Sequence, residues 1–523
     1  MRESRARIPD PETNRTPMRV RRGAAMAAAV LTALVPATTA ASADPAGGIG
    51  DPYFPSYGNT GYDVGHYDLR LDYAPDTDLL KGTATLVTRT TEELDSFTLD
   101  FLLDVDSVRV NGRPADFSSE GHKLTVAPSR PVAEDRQMTV VVKYEDRPSE
   151  ASWQDVPSAW HRTSDGAIAL GEPEASWWWF PANDHPRDKA TFDVRVQVPE
   201  GYEAISNGEL TGRQTRGGKD IYLWRQDQPA ATYLATLAVG RYEVHEDTTA
   251  SGLPVYNAYA PDLGRLAGPA RASIERGGEI LEFQERTFGP YPYNALGGVV
   301  AGPEADLGYA LETQTRPVYS HVFFSRGSNT YVVAHELAHQ WWGDHVSVDT
   351  WQDIWLNEGF ASYAEWMWSE HEGEGTAQEL AEYTYDAYPA DSGFWTVTPG
   401  DPGSENVFHP AVYDRGALAV HALRAEVGQR TFYRILYAWQ QEHAHGNATV
   451  QDFIDLSEKI SGKDLDPVFD TWLFTPERPE SAPGTLRTAA AAESAPAKPE
   501  SWDTIQRNRE LFHDGQHGGH GDH

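Results

Sequence analysis

From about Gly50 to Tyr242 the chain alternates apolar and polar residues with a period of two. His66–Tyr73 and Lys123–Val126 keep the alternation, and Met138–Val142 is a β-branched, apolar run. Successive side chains of a strand point to opposite faces, so these stretches predict half-buried strands. Asn111-Gly112 and Glu200-Gly201 punctuate them as turns. Helical periodicity is scarce here, and an all-β N-terminal domain is expected. From about Leu253 the spacing becomes helical. Ala270–Phe288, Asn329–Trp342, Asn357–Trp368, Gly416–Val427, Thr431–His443 and Val450–Ser457 read as helices. A mainly α-helical half with a small sheet follows, and the fold class is multidomain α+β. Beyond Pro479 the pattern lapses. Residues 481–500 are rich in Ala, Ser, Pro and Glu, a linker composition. A short helix at Trp502–Phe512 precedes a tail where His513, His517, His520 and His523 mix with Gly and Asp. A solvated tail accounts for these histidines, with loose metal binding as the alternative. The expected organisation is a leader over 1–43, a β domain over 44–250, a helical domain over 251–480, and a disordered linker and His-rich tail over 481–523.

Composition sharpens this picture. With 523 residues, 40% of them hydrophobic and 16 of them Trp, the chain can fill more than one core. A net charge of −35 argues against nucleic acid, whose phosphates need Lys and Arg. The acidity serves solubility, or attracts cationic ligands such as peptide amino termini. Cysteine is absent, so no disulfide, thiolate metal site or cysteine nucleophile is possible. Near the start, Arg19, Arg21 and Arg22 precede an apolar run from Ala24 to Val35, and Ala41-Ser42-Ala43 offers a cleavage site. That is the pattern of an export signal, with translation starting at Met1 or Met18. A secreted protein without stable membrane association is expected, with a monomer as the default state.

The strongest chemical signal is His335-Glu336-Leu337-Ala338-His339. Residues four apart share a helix face, so both imidazoles reach one cation, with Glu336 beside it. This is the HExxH zinc pattern, with the glutamate as general base. Glu358, in Trp355-Leu356-Asn357-Glu358-Gly359, follows His339 after 18 intervening residues and supplies a third ligand from a second helix. Two His and one carboxylate leave a fourth zinc position open for water, which catalysis needs. Glu365, seven residues after Glu358, either orients a ligand His from behind or is an exposed helix carboxylate.

These motifs resemble the aminopeptidase N family of gluzincin zinc peptidases over roughly residues 50–480. His335–Asp344 is similar to the family's HExxHxWxGx helix, and Trp355–Gly359 to its WLNEG helix. Val412–Ala417 is similar to its Y-x-K-G-A segment, with Arg415 in place of Lys as a mild change. The resemblance implies that Tyr413 stabilises the transition state. Gly308–Thr313 resembles the amine-anchoring G-x-M-E-N segment. It keeps Glu312, places Tyr309 at the usual Gly, Leu311 at Met and Thr313 at Asn, and leaves Ala310 on a strand able to pair with extended substrate. Glu172–Pro181 resembles E-P-x-x-A-R-x-x-F-P and puts Glu172 at the second amine-binding carboxylate. The following Ala182–Pro186 departs from C-x-D-E-P and is expected to be structural. The resemblance further implies a saddle-like β domain followed by a thermolysin-like domain, one zinc ion per chain, and peptides with free N-termini as substrates.

On this reading Glu336 accepts a proton from the attacking water and passes it to the leaving amine. Glu172 and Glu312 hold the α-ammonium, which makes the enzyme an aminopeptidase. An endopeptidase on the same zinc chemistry, another hydrolase activity on the scaffold, and a non-catalytic peptide-binding relative are the alternatives.

Overall fold

The computed structural model describes residues 47–154, 156–484 and 498–517. The leader pattern, residues 485–497 and the tail from residue 518 lie outside the described residues.

The alternating runs form strands longer than the alternation itself: Tyr62–Ala74, Lys123–Ala127 and Gln137–Asp146. In the first, Tyr67, Leu69, Leu71 and Tyr73 are buried while their neighbours are more open, as the pleat dictates. All three belong to a ten-stranded sheet. Its order runs Glu209–Arg216, Lys219–Ala230, Ala190–Pro199, Tyr62–Ala74, Leu79–Thr90, Gln137–Asp146, Val105–Val110, Arg113–Glu120, Lys123–Ala127, Phe97–Asp100. Neighbours are antiparallel except Tyr62–Ala74 and Ala190–Pro199, which run parallel with Leu69 opposite Val194. Asn111 and Gly112, with φ of 50° and 75°, make the tight hairpin between Val105–Val110 and Arg113–Glu120. A four-stranded sheet, Glu203–Ser206, Leu237–Gly240, Ala167–Ala169, Trp160–Arg162, leads into the segment that carries Glu172.

The small sheet expected in the helical half has five strands. Its order is Glu243–Thr248, Pro254–Tyr259, Leu296–Ala301, Val318–Ser320, Ala310–Leu311, so the strand before Glu312 is an edge. Two apolar cores result. The core of the β-rich part also takes Val299, Leu311 and Val318, and the core of the helical part takes Tyr233 and Leu234. Side chains therefore cross residue 250 in both directions.

The helices that matter for the site are Thr330–His339, Trp355–Glu372 and Gly416–Val427. The stretch expected as one helix over Ala270–Phe288 is two, Ala267–Ile274 and Gly277–Phe288. Ala377–Ala387, unexpected from its sequence, is started by a capping box between Thr376 and Glu379. Among the described residues no helix is long and apolar enough to cross a membrane.

The largest departure lies at the C-terminal end. The short helix expected at Trp502–Phe512, inside a stretch otherwise expected as disordered linker and tail, runs over Trp502–His517 and is packed, with Ile505, Leu511 and Phe512 buried in the helical core. Ile505, Asn508, Arg509 and Phe512 share one helix face at i, i+3, i+4 and i+7. Two polar residues interrupt that stripe, which is why it does not read as a core-facing helix.

Candidate active site

Asn329 starts the motif helix by accepting hydrogen bonds from the Tyr331 and Val332 amides. One turn apart on this buried helix, His335 and His339 aim their Nε2 atoms at one oxygen of Glu358, 3.3 Å and 3.6 Å away. A tetrahedral ion about 2.0–2.1 Å from each donor sets neighbouring donors about 3.3–3.4 Å apart. The two His–Glu358 distances are thus close to that spacing, and the three donor atoms all lie within 4.8 Å of one another. The far nitrogens are also committed: His335 Nδ1 lies 2.9 Å from Glu365 Oε1, and His339 Nδ1 lies 3.0 Å from the Trp342 carbonyl. Both Nδ1–H groups donate there, which leaves each Nε2 lone pair for a metal. Burial raises the carboxyl of Glu358, but positive charge on His339, then hydrogen bonds from His335 and His339, overcome that and hold it down at about 2; a cation between the three donors would take the place of those imidazole protons. It is therefore an anionic ligand. The residues fit a zinc ion.

Glu365 is thus the orienting carboxylate. It is fully buried, and Asn508 and Arg509 hold its oxygens from the other side at 3.2 Å each.

The helix that carries Glu358 crosses the one that follows Tyr413 at two glycines. A Cβ on Gly416 would lie 3.0 Å from the Gly359 Cα, and one on Gly359 would run into the Trp355 indole. That indole donates to the Gly416 carbonyl at 3.1 Å. The close crossing brings Glu358 and Tyr413 to one centre. Gly359→Ala is expected to destabilise the fold by about 1–3 kcal/mol through overpacking, read as a lowered urea midpoint. An unchanged midpoint would mean that the crossing has slack.

Tyr413 sits in a single π-turn, Ala411–Arg415, ahead of its helix. Its ring stacks on His335 at 6.2 Å and 19°. Burial, then the charges of Glu358 and Glu172, raise its hydroxyl well above the ordinary phenol range, so it remains a proton donor. Arg415 anchors this turn and is no mild replacement for Lys. Its Nε donates to the Trp472 carbonyl at 2.9 Å, its Nη1 to those of Trp395 and Val397 at 2.8 and 3.1 Å, and its Nη2 to those of Thr471 and Thr475. Only a planar five-donor group can serve five carbonyls at once.

Glu336 Oε1 is buried without a hydrogen-bond partner, and burial raises the carboxyl well above the usual range. Glu312, Glu336 and His339 also bring donor atoms within 4.8 Å of one another, so both glutamates border the metal position. Glu312 is held by the Tyr233 hydroxyl at 3.2 Å, and Gln340 Nε2 donates to its carbonyl at 2.9 Å, tying the edge strand to the motif helix. Both carboxylate oxygens of Glu172 are out of solvent and without a partner. Burial, then Glu312, Glu358 and Glu336, raise Glu172, and burial raises Glu312 as well. Glu174, two residues on, is buried against Tyr57 instead. Tyr309 lays its hydroxyl 3.4 Å from His161 Nε2 and 3.4 Å from the Leu170 carbonyl, beside the Glu172 segment. Asn183, Asp184 and His185 bond to Asn59, Thr232 and Asp51, a structural network away from the metal donors.

Two residue groups at the centre escaped the sequence reading: Tyr233 and Gln340 behind Glu312, and Asn508, Arg509 and Phe512 on the C-terminal helix. Only the last group left a signal, the stripe at i, i+3, i+4 and i+7.

Comparison with known proteins agrees with this geometry. Residues 274–472 match the peptidase family M1 domain, and residues 64–234 match the peptidase M1 N-terminal domain. Aminopeptidase M1 of Arabidopsis thaliana is 28% identical over 327 residues, covering 58% of this chain and 36% of its own length. Leucyl aminopeptidase of Saccharolobus solfataricus is 26% identical over 442 residues, covering 80% and 54%. The chain therefore spans about half or less of these relatives. It spans all of a solved M1 zinc metallopeptidase of Deinococcus radiodurans, a glutamate-to-alanine mutant bound to a Tyr-Ser-Ala substrate. That structure is 30% identical, covers 84% of this chain and superposes with a TM-score of 0.75. A two-domain M1 zinc metallopeptidase bound to L-arginine superposes at 0.74 with 29% identity. Fold and domain order agree, and the chain belongs to peptidase family M1, the zinc metallopeptidases, with a β-rich N-terminal domain followed by a helical catalytic domain.

Proposed function

We propose that this protein is an aminopeptidase that releases the N-terminal residue of peptides. The observation that carries the reading is the pair Glu172 and Glu312, buried carboxylates bordering the metal donors, with both Glu172 oxygens unpartnered. A buried, unpaired carboxylate is costly, and a cation relieves it. A peptide α-ammonium, with a pKa near ~7.7–8.0, is the cation a peptidase meets.

His335, His339 and Glu358 would hold the zinc ion, which when bound polarises the scissile carbonyl and acidifies water. The rest is done by the chain. Glu172 and Glu312 clamp the α-ammonium and so fix which peptide bond lies over the metal. The free edge at Ala310–Leu311 supports pairing with the substrate backbone in extended form. Glu336 takes a proton from the attacking water and returns it to the departing amine. The Tyr413 hydroxyl donates to the oxyanion that develops on the carbonyl oxygen. Secretion rests on the leader pattern over residues 19–43, and the N-terminal sequence of protein recovered from culture medium checks it.

The test uses aminoacyl amides of several side-chain types, free and N-acetylated, with and without a zinc chelator. Turnover of free-amine substrates alone, lost on chelation and restored by zinc, is the expected result. Turnover of acetylated substrates would replace this reading with an endopeptidase. Glu312→Gln is expected to lower kcat/KM on free amines by about ten- to a hundredfold, the worth of one hydrogen bond to a charged group. An equal kcat/KM in the variant would remove Glu312 from amine recognition.

A further inference from the structure

The family match ends at residue 472, yet the helix Trp502–His517 lies against the motif helix. Phe512, only 3% exposed, stacks on His335 at 4.7 Å and 29°, and on Tyr413 at 5.9 Å and 13°. One helical turn earlier, Arg509 is equally buried. Its Nε donates to Asp414 Oδ1 at 2.8 Å, its Nη2 donates to Glu365 Oε1 at 3.2 Å, and its guanidinium lies 4.9 Å from the centre of the Tyr413 ring. Asn508 donates to the other Glu365 oxygen and accepts from Asn329, the cap of the motif helix.

These contacts converge on two functions. Glu365 is the carboxylate that orients His335, and Arg509 and Asn508 hold its two oxygens. Asp414 neighbours Tyr413 in the π-turn and is held by Arg509 and by the Tyr388 hydroxyl at 2.6 Å. Arg509 therefore bridges the support of a metal ligand to the support of the oxyanion donor. Without it two buried carboxylates would face each other's surroundings with no cation between them, and each would seek another partner.

We propose that Arg509 is a positioning residue for the peptidase reaction. From a helix beyond the family match, it locks Glu365 behind His335 and Asp414 beside Tyr413, so that the C-terminal helix completes the active centre. The kinetic arm of its test rests on the aminopeptidase reading; the metal arm does not.

The experiment compares full-length Arg509→Gln and Arg509→Lys with the parent, each loaded with one zinc per chain. Zinc release to a chromophoric chelator is followed, together with kcat and KM on a free-amine aminoacyl amide. Arg509→Gln is expected to release zinc about 10–100-fold faster, the usual effect of losing an outer-shell partner. Its kcat should fall by a similar factor, with KM within about twofold. Arg509→Lys keeps the charge and should recover most of both losses, while remaining measurably below the parent because an ammonium cannot span both carboxylates in the same geometry. Parental zinc release and kcat in Arg509→Gln would overturn the proposal, and a raised kcat would make the helix an obstruction. If circular dichroism shows that Arg509→Gln has unfolded, Arg509→Lys decides alone, and parental values in it refute the bridge. Altered zinc release without any peptide turnover would uphold the bridge and reject the aminopeptidase reading.

Discussion

Replacing Glu336 with glutamine should lower kcat by about 10²–10⁴-fold, the usual contribution of a positioned acid–base group, with one zinc per chain retained. The amide keeps the shape of the side chain but cannot accept a proton. Metal binding should survive, because His335, His339 and Glu358 mutually supply the donor set and Glu336 is not among them. The structure also sets the direction of the pH dependence. Glu336 works as a base only when ionised, and burial raises its carboxyl. Activity should therefore be lost, as pH falls, at a higher pH than an exposed glutamate would give. The variant should lose that acid limb together with its rate. Metal analysis and kcat on a free-amine amide check the pair of statements. A loss below tenfold with zinc in place would mean that another group carries the proton.

Tyr413→Phe is expected to lower kcat by about 10²–10³-fold, the effect of deleting one oxyanion donor, with KM little changed. The ring contacts should stay, since the stacking against His335 and Phe512 and the guanidinium of Arg509 all involve the ring face. A hydroxyl held protonated by burial donates across the whole working range, so the deficit should be flat with pH. That separates it from the Glu336 variant, whose loss carries the acid limb away. A Phe variant with parental kcat would leave zinc as the sole oxyanion partner.

The centre was legible in the sequence where one element carries the chemistry. His335 and His339 stand one turn apart on one helix, and Glu358 begins the next, so linear spacing reports the cluster. Glu365 was half-legible: its helix face follows from the count, but its partners come from residues 508 and 509. Glu312 and Glu172 reached their places through family resemblance, and neither spacing nor periodicity links strands so far apart in the chain. Arg509 was hidden because a charged residue on a helix after a low-complexity stretch reads as solvated. Its burial arises only when Glu365 and Asp414 meet it. In the β-rich part alternation found the strands but not their order, since the parallel pairing of Tyr62–Ala74 with Ala190–Pro199 depends on chain segments that the pattern cannot connect. The break between Ala267–Ile274 and Gly277–Phe288 falls where two glycines follow Arg276, a helix-weakening pair.

The five carbonyls that receive Arg415 have a consequence for how the enzyme is made. Three of them, on Thr471, Trp472 and Thr475, lie 56, 57 and 60 residues downstream. Synthesis runs from the N-terminus, so a ribosome still short of residue 471 has released every zinc donor but not the acceptors that set the turn of Tyr413. A chain cut short before residue 471 would thus keep the sequence positions of all three zinc donors and lose the carbonyls that fix the turn of Tyr413.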